Sequence, residues 1–265
     1  MYDELKYIDK GIMTVPYIKK LDGEEIYEQA KYFLKEAKHI VFLTGAGIST
    51  NANIPDFRSK QGWYSKSPED ILSRDNFFKN PREVCDFLYK YYNLIDVDPT
   101  LSHNIIADLE NKGKNVTVIT QNVDMLHKKS KSSNVFEFHG SFNKAHCYRC
   151  KKDYPITDIL NENVSNKDFS VKCECRGYIK PDIVLFGEDI KYREESMAAV
   201  RKADLLIIVG TSLSVQPFAS LPSYAPMGTP YIIINNSPTY LDDNRMSVVL
   251  NGDCDEILSK ITKGL

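Results

Sequence analysis

The sequence lacks a long apolar segment and an excess of charge of either sign. Residues 1–20 contain no apolar run of signal-peptide length, and the longest apolar stretch, "ADLLIIVG" at 203–210, is far too short to span a bilayer. We therefore expect a cytoplasmic protein with no membrane partner. Its 34 basic and 36 acidic residues give a formal charge of −2, so no overall field favours nucleic acid, and we expect no nucleic-acid partner. The sequence does not indicate an oligomeric state.

The sequence also lacks internal repeats and low-complexity segments, which argues against a solenoid or a disordered chain. With 265 residues, of which 42% are hydrophobic, the chain can bury a large core. These values fit one large domain, or a large domain that carries a smaller one.

Short apolar runs recur along the chain and alternate with helical patterns. The runs lie at 39–47, 116–120, 135–140, 182–187, 205–210, 231–235 and 247–251, and the first of them ends in glycines. Residues 25–38 and 102–113 have helical periodicity, and in the second segment Ser102 can cap the start and Gly113 can close the end. This alternation predicts an α/β fold, with a parallel sheet covered by helices on both faces and ligands bound at the carboxyl ends of its strands.

Two stretches interrupt the alternation. Residues 51–101 are polar, aromatic and helix-prone, and they are too long for a plain connection, so they predict a helical insertion. Residues 141–181 hold four of the six cysteines and have little apolar periodicity. The main domain would then comprise residues 1–50, 102–140 and 182–265.

A glycine-containing turn follows the first strand. Gly45 and Gly47 lie in "TGAGIST", where small residues let main-chain N–H groups approach a diphosphate. The motif has no third glycine, so turn geometry alone is an alternative explanation. Pro55 to Arg58 follow as "PDFR", which fits either a loop over a bound nucleotide or a surface ion pair beside a core phenylalanine.

Polar side chains follow two further strands. Gln121, Asn122 and Asp124 come directly after the second strand, where burying them without partners would be costly, so they suggest a polar ligand or a helix cap and turn. His139 ends the next apolar segment, and its ring should project into the crevice at the sheet edge. A lone histidine can be structural, but an imidazole beside a nucleotide site is a candidate general base.

The cysteines form two close pairs. Cys147 and Cys150 make a C-x-x-C pair, and Cys173 and Cys175 make a C-x-C pair. Two such knuckles suit a tetrahedral Zn²⁺ with four thiolate ligands, and a redox dithiol would not explain the second pair. His146 could replace a thiolate, although nothing requires a cysteine to be spared. Because this region has little apolar surface, we expect the ion to be structural.

Taken together, these motifs resemble the sirtuin (Sir2) family of NAD-dependent protein deacylases. The matching segments are "GAGIST", "IPDFR", "TQNVDMLH", "FHG", the two cysteine pairs, "KPDIVLFGE", "GTSLSVQP" and "IIIN". The resemblance implies a Rossmann-like domain, a small zinc-binding module at 141–181 and the helical insertion at 51–101.

The resemblance also assigns roles to particular residues. It implies that His139 and Asn122 are catalytic, and that residues 184–188 bind an acylated-lysine peptide by strand pairing, with Val184, Phe186, Gly187 and Glu188 as the contacts. The residues implied to bind NAD are Gly45, Ala46, Gly47, Ser49, Thr50, Asp56, Phe57, Arg58, Gln121, Asn122, Val123, Asp124, Gly210, Thr211, Ser212, Asn235, Asp253 and Cys254.

The activity implied by the resemblance is transfer of an acyl group, most simply acetyl, from lysine to ADP-ribose with release of nicotinamide. In that reaction the acyl oxygen attacks the ribose carbon, and His139 then acts as a base toward a ribose hydroxyl. The alternatives are a protein mono-ADP-ribosyltransferase and a non-enzymatic NAD or ADP-ribose sensor. The histidine of "FHG" favours deacylation, and the missing Tyr-x-x-Arg pair argues against dicarboxylate acyl groups.

Overall fold

A computed structural model describes residues 23–56, 68–160, 172–244 and 246–265. Its central feature is a six-stranded, all-parallel sheet with the strand order β3-β2-β1-β7-β8-β9. The strands of this sheet are β1 (His39–Thr44), β2 (Asn115–Thr120), β3 (Val135–Glu137), β7 (Leu205–Val209), β8 (Tyr231–Ile234) and β9 (Ser247–Leu250). The predicted α/β class is confirmed.

Helices cover both faces of this sheet because its strands are apolar on both sides. On β1, Ile40 and Phe42 pack on one face and Val41 and Leu43 on the other, and all four are buried. The first face carries α1 (Gly23–Glu36), α5 (Leu101–Asn111) and α8 (Cys254–Thr262). The second face carries α7 (Arg193–Val200) and a 3₁₀ helix at Phe218–Tyr224.

The predicted insertion is helical where the structure describes it. It contains α2 (Pro68–Ile71), α3 (Arg74–Lys79) and α4 (Pro81–Leu94), and the short helix α6 (Leu126–Lys129) follows β2. The apolar face of α4, with Val84 and Leu88, packs in one core with Phe142 and Ile179 of the smaller sheet. The insertion is therefore joined to the cysteine-rich region by a shared core.

A second, antiparallel sheet corrects one of the predicted strands. Its order is β5-β4-β6, formed by β4 (Gly140–Cys147), β5 (Asp153–Tyr154) and β6 (Ile179–Ile183). We expected residues 182–187 to form a strand of the parallel sheet, but that prediction was wrong. β6 ends at Ile183, and residues 184–188 form an irregular segment in which Phe186 makes an isolated bridge to Ser73. Apolar runs alone do not reveal which sheet they join.

Two smaller predictions at helix and strand ends differ from the structure. Thr100, not Ser102, is the N-cap residue of α5, and Ser102 lies inside the helix with its hydroxyl donating to Asp255. The third apolar run forms a strand only as far as Glu137. Gly113 does follow the end of α5 with φ of +83°, as predicted for a helix-terminating glycine. None of the helices in the described ranges is both long and apolar enough to cross a membrane.

Candidate active site

A cavity of about 470 Å³ opens at the carboxyl ends of the parallel strands. It lies where β1 has β2 on one side and β7 on the other, so successive connections turn in opposite directions. Eighteen of the described residues predicted from the sequence line it. They are Gly45, Ala46, Gly47, Thr50, Asp56, Gln121, Asn122, Val123, His139, Gly210, Thr211, Ser212, Asn235 and Cys254, together with Val184, Phe186, Gly187 and Glu188 of the predicted peptide segment.

Two glycine-containing turns form the floor of the cavity by direct main-chain contact. The N–H of Gly47 donates to the carbonyl of Gly210 at 2.9 Å. A Cβ added to Gly210 would lie 2.3 Å from the nitrogen of Ile48, and the φ of Gly210 is +61°. Glycine is therefore required for both conformation and space at this position. The two turns leave only main-chain atoms and small side chains at the floor of the cavity. A diphosphate can approach such a surface closely.

A buried hydrogen-bond chain fixes Asn122 at the cavity wall. Its Nδ2 donates to the carbonyl of Gly45 and to Oγ of Ser49, both at 3.1 Å, and Ser49 Oγ donates to Asp124 Oδ2 at 2.7 Å. Because both amide hydrogens are used within the protein, the Oδ1 of Asn122 is the atom left for a ligand. Ser49 and Asp124 thus lie behind the wall rather than in it.

Asp124 is completely enclosed by this chain of contacts. Burial raises its pKa, while hydrogen bonds from the Leu126 N–H and from Ser49 act in the opposite direction. Those two donors compensate the carboxylate where no solvent reaches it. We therefore assign Asp124 an indirect role, in which it orients Ser49 and, through Ser49, the Asn122 amide.

His139 reaches the cavity between the main sheet and the second sheet. Its Nδ1 lies 3.3 Å from the main-chain oxygen of Gln121, and burial lowers its pKa to about 4, with the Gln121 hydrogen bond acting in the opposite direction. The side chain of Gln121 meanwhile donates to Thr211 at 2.7 Å. That bond ties the end of β2 to the end of β7 across β1.

The segment 184–188 forms another part of the wall, and its main chain is only partly satisfied. The Val184 N–H donates to the carbonyl of His139 at 2.7 Å, and Phe186 pairs through its N–H and carbonyl with Leu72 and Arg74. The Val184 carbonyl and the Gly187 N–H have no hydrogen-bond partner in the described part of the chain. These two groups can pair with an added strand.

Several predicted residues lie outside the cavity wall or outside the described ranges. Asp253 caps α8 by accepting from the N–H groups of Asp255 and Glu256, and it also accepts from Asn51. Ser49 and Asp124 occupy the positions given above. Phe57 and Arg58 lie outside the residues that the structure describes.

Sequence reasoning missed other residues of the wall. They are Leu72, Ile183, Leu185, Ile190, Val215, Gln216, Pro217, Asn236, Ser237 and Gly252. Most are direct neighbours of predicted residues, and 215–217 belong to the quoted "GTSLSVQP" segment, so extending each motif would have found them. Ile190 lies two residues after Glu188, whereas Leu72 carries no such signal because it reaches the cavity from the insertion.

The four clustered cysteines meet at one point of the smaller sheet. The ligand atoms of Cys147, Cys150, Cys173 and Cys175 all lie within 4.8 Å of one another. The Cys147–Cys175 and Cys150–Cys173 sulfur distances are both 3.5 Å. A tetrahedral zinc with Zn–S bonds of ~2.3 Å needs sulfurs roughly 3.8 Å apart, so the donor set and the spacing fit one Zn²⁺.

Neighbouring residues contact the cysteine sulfurs or leave room for them. The Tyr154 hydroxyl donates to the sulfur of Cys173 at 3.0 Å, and a Cβ on Gly177 would come within 2.7 Å of the Cys147 sulfur. His146, the alternative fourth ligand, has its Nδ1 3.0 Å from Asp182 Oδ1 and is not among the four clustered residues. The four cysteines are thus positioned to bind one zinc ion through thiolates alone.

The chain is similar to known proteins in both sequence and structure. The Sir2 family model matches residues 45–217. The NAD-dependent protein deacetylase of Listeria innocua is 41% identical over 198 residues, which cover 73% of this chain and 83% of that protein. The NAD-dependent protein deacetylase of Clostridium tetani is 39% identical over 249 residues, which cover 89% of this chain and 96% of that protein. A solved structure described as "Sir2-p53 peptide-NAD+" matches with a TM-score of 0.80 and 33% identity, over 88% of this chain and 96% of that chain. The chain therefore belongs to the Sir2 family.

Proposed function

We propose that this protein is an NAD-dependent protein-lysine deacylase, most simply a deacetylase, that passes the acyl group to ADP-ribose and releases nicotinamide. The observation that carries the proposal is the convergence of a buried neutral imidazole, an oriented Asn122 amide and an unpaired main-chain edge on one cavity. The activity named for the two relatives and the peptide and NAD named for the solved structure support it.

The cavity suits a dinucleotide in size and in lining. Its volume of about 470 Å³ lies within the ~300–1,000 Å³ typical of ligand pockets. The glycine floor at Gly47 and Gly210 would receive the diphosphate, and Asn235, which follows β8, is placed toward a ribose or the adenine. NAD supplies the electrophilic ribose carbon and nicotinamide as the leaving group. The protein's own residues position the substrates and deprotonate the ribose hydroxyl.

The electrostatics of the site suit a base that is uncharged at neutral pH. A carbonyl oxygen can only accept, so the hydrogen bond to Gln121 requires the proton on Nδ1 of His139. Nε2 is then the unprotonated nitrogen that can accept a proton from a ribose hydroxyl. Burial keeps the ring neutral, and the imidazole therefore needs no prior deprotonation.

The peptide is held by main-chain pairing in this proposal. The Val184 carbonyl and the Gly187 N–H are the groups available to it, and Val184 is also bonded to the carbonyl of His139. A bound strand would therefore be placed relative to the base by one intervening hydrogen bond. Main-chain pairing makes little demand on the substrate sequence.

A mass-balance assay tests the proposal. The protein is incubated with NAD and an acetyl-lysine peptide, and deacetylated peptide, free nicotinamide and acyl-ADP-ribose are quantified by mass spectrometry. We expect the three products in equal amounts. Adenine-labelled NAD that ends on protein would identify an ADP-ribosyltransferase instead, and the absence of nicotinamide release with every acyl peptide in a chain-length panel would favour a sensor.

A further inference from the structure

One buried ion pair holds the ends of the segment that the proposed function assigns to the peptide. Lys180 lies on β6, its side chain is 3% exposed, and its Nζ is 2.8 Å from Glu188 Oε2. The same Nζ donates to the carbonyl of Ile183 at 2.5 Å. One ammonium thus contacts the residue that precedes the segment and the residue that ends it.

The Glu188 carboxylate also closes a turn over residues 185–188. Its Oε2 accepts from the Leu185 N–H at 2.9 Å, while the Glu188 N–H donates to the Leu185 carbonyl at 3.0 Å, so residues 185–188 form a turn closed in both directions. Its Oε1 is buried without a hydrogen-bond partner among the described residues. Compensation of the carboxylate charge therefore depends on Lys180 and on one N–H group.

We propose that Lys180 is a positioning residue for the acylated peptide. By holding Ile183 and Glu188 together, its ammonium fixes the Val184 carbonyl and the Gly187 N–H, which have no partner among the described residues, at a set distance from His139. This inference rests on the proposed function, because it assigns the peptide to that segment.

The chemistry of the pair argues for a role beyond folding. Burial lowers the pKa of Lys180, and the charge and hydrogen bond of Glu188, followed by the charge of Asp182, act in the opposite direction. A buried ion pair of this kind is commonly no more stabilising than apolar residues of the same volume. What the pair adds is a defined position, because the ammonium of Lys180 donates to Ile183 and Glu188, the two residues that flank and end the segment.

Lys180→Met and Lys180→Arg test the role. Met keeps the length and removes the charge, whereas Arg keeps the charge and donors. We expect Lys180→Met to raise the KM for an acetyl-lysine peptide by at least about tenfold, since two main-chain contacts lose their placement. The KM for NAD should change by less than about twofold, because the glycine floor is untouched. Lys180→Arg should recover part of the peptide affinity.

A double variant separates positioning from stability. Lys180→Met leaves a buried carboxylate uncompensated and lowers the melting temperature, but Lys180→Met combined with Glu188→Gln removes both charges. We expect the double variant to regain most of the melting temperature and to keep the high peptide KM. A double variant whose peptide KM returns with its stability would overturn the positioning role.

Lys114→Met is the matched control. Lys114 also donates from its ammonium to main-chain carbonyls, those of Lys35 and Ala37, at the opposite end of the sheet. The Lys114→Met variant should have a lower melting temperature, while its peptide KM stays at the wild-type value. If wild-type protein deacylates no peptide, the proposed function fails. If the wild type is active and Lys180→Met keeps its peptide KM, only the inference about Lys180 fails.

Discussion

The main-chain carbonyl of Gln121 accepts a hydrogen bond from Nδ1 of His139 over 3.3 Å. Gln121 is the first residue after β2, and its side chain is bonded to Thr211 after β7. One residue therefore orients the imidazole with its main chain and fixes the strand ends with its side chain. The tautomer of the proposed base is thus set by the architecture of the sheet.

The pH dependence of the reaction should follow the pKa of His139. Burial lowers that pKa to about 4, and the neutral ring is the active form, so activity is present above this value and is lost as pH falls through it. We expect kcat/KM for peptide deacylation to be independent of His139 ionisation from about pH 8 to about pH 5 and to fall below it. An inflection of the free enzyme near the ordinary histidine value would contradict the burial described here.

Stability should decline over an overlapping but wider pH range. His103, His127 and His139 are buried, and burial lowers the pKa of each. The unfolded chain binds protons below about pH 6.5 that the folded chain does not, so the free energy of unfolding falls as pH drops from there. Urea titrations at several pH values measure this decline, and circular dichroism at each pH identifies the range in which the activity profile reports on folded protein. A free energy of unfolding that rises on acidification would be inconsistent with neutral buried rings.

Replacing His139 by Ala should remove the base without removing the dinucleotide site. Loss of a general base commonly costs about 10²–10⁴ in rate, and the glycine floor remains intact. Turnover is measured by nicotinamide release, and NAD affinity by calorimetry. His39→Ala is the control, since His39 lies exposed at the start of β1 at the opposite end of the sheet. Full turnover in His139→Ala would disprove the assignment.

Gly210→Ala should damage the cavity floor more than backbone strain alone explains. Its Cβ would meet the nitrogen of Ile48 at 2.3 Å, and its φ is +61°. Gly113→Ala provides the comparison, because its φ is +83° but nothing lies within 4 Å of the added Cβ. We expect a cost of about 1–2 kcal/mol for Gly113→Ala and a clearly larger loss, with weaker NAD binding, for Gly210→Ala. Thermal melts and NAD titrations of both variants decide the matter, and equal effects would mean that the close contact relaxes freely.

Loss of the cysteine cluster should release zinc and unfold the smaller sheet. We expect one zinc per chain by elemental analysis of wild type, and none in the Cys147→Ser, Cys150→Ser double variant. Because structural zinc contributes about 10–16 kcal/mol in small zinc-binding peptides, this variant should lose protection of β4 and β6 in hydrogen exchange. Cys85→Ala, a buried cysteine outside the cluster, should keep its zinc. A zinc-free variant with unchanged protection would show that the module folds without metal.

The sequence predicted the parts of the site that follow strand ends. Gly45, Gln121, Gly210 and Asn235 were found because an apolar run that ends in small or polar residues marks both a strand and its carboxyl end. The four cysteines were found because their spacing has few other uses. In both cases the signal is local in sequence, as is the physical constraint that produces it.

Other features depend on contacts between distant residues. The order of the six strands and the place of 182–187 depend on pairing partners that no local pattern reveals. Ser102 looks like a cap, but its hydroxyl is bonded to Asp255 on α8. The buried hydrogen bond from Ser49 to Asp124 is equally hidden from sequence reasoning, because the two residues lie 75 positions apart. Each of these features depends on a partner that lies far away in sequence.

The pairing of Gly140 with Ile183 closes the base of the smaller sheet. One of these residues follows His139 and the other precedes Val184, so everything between them is a loop whose two ends are one strand spacing apart, roughly 5 Å. Changes of length within that loop, away from Lys180 and from the core shared with α4, would leave the spacing of its two ends unchanged. The fold therefore offers a natural grafting point, at which new surface can be added beside the reaction centre without redesigning the chemistry.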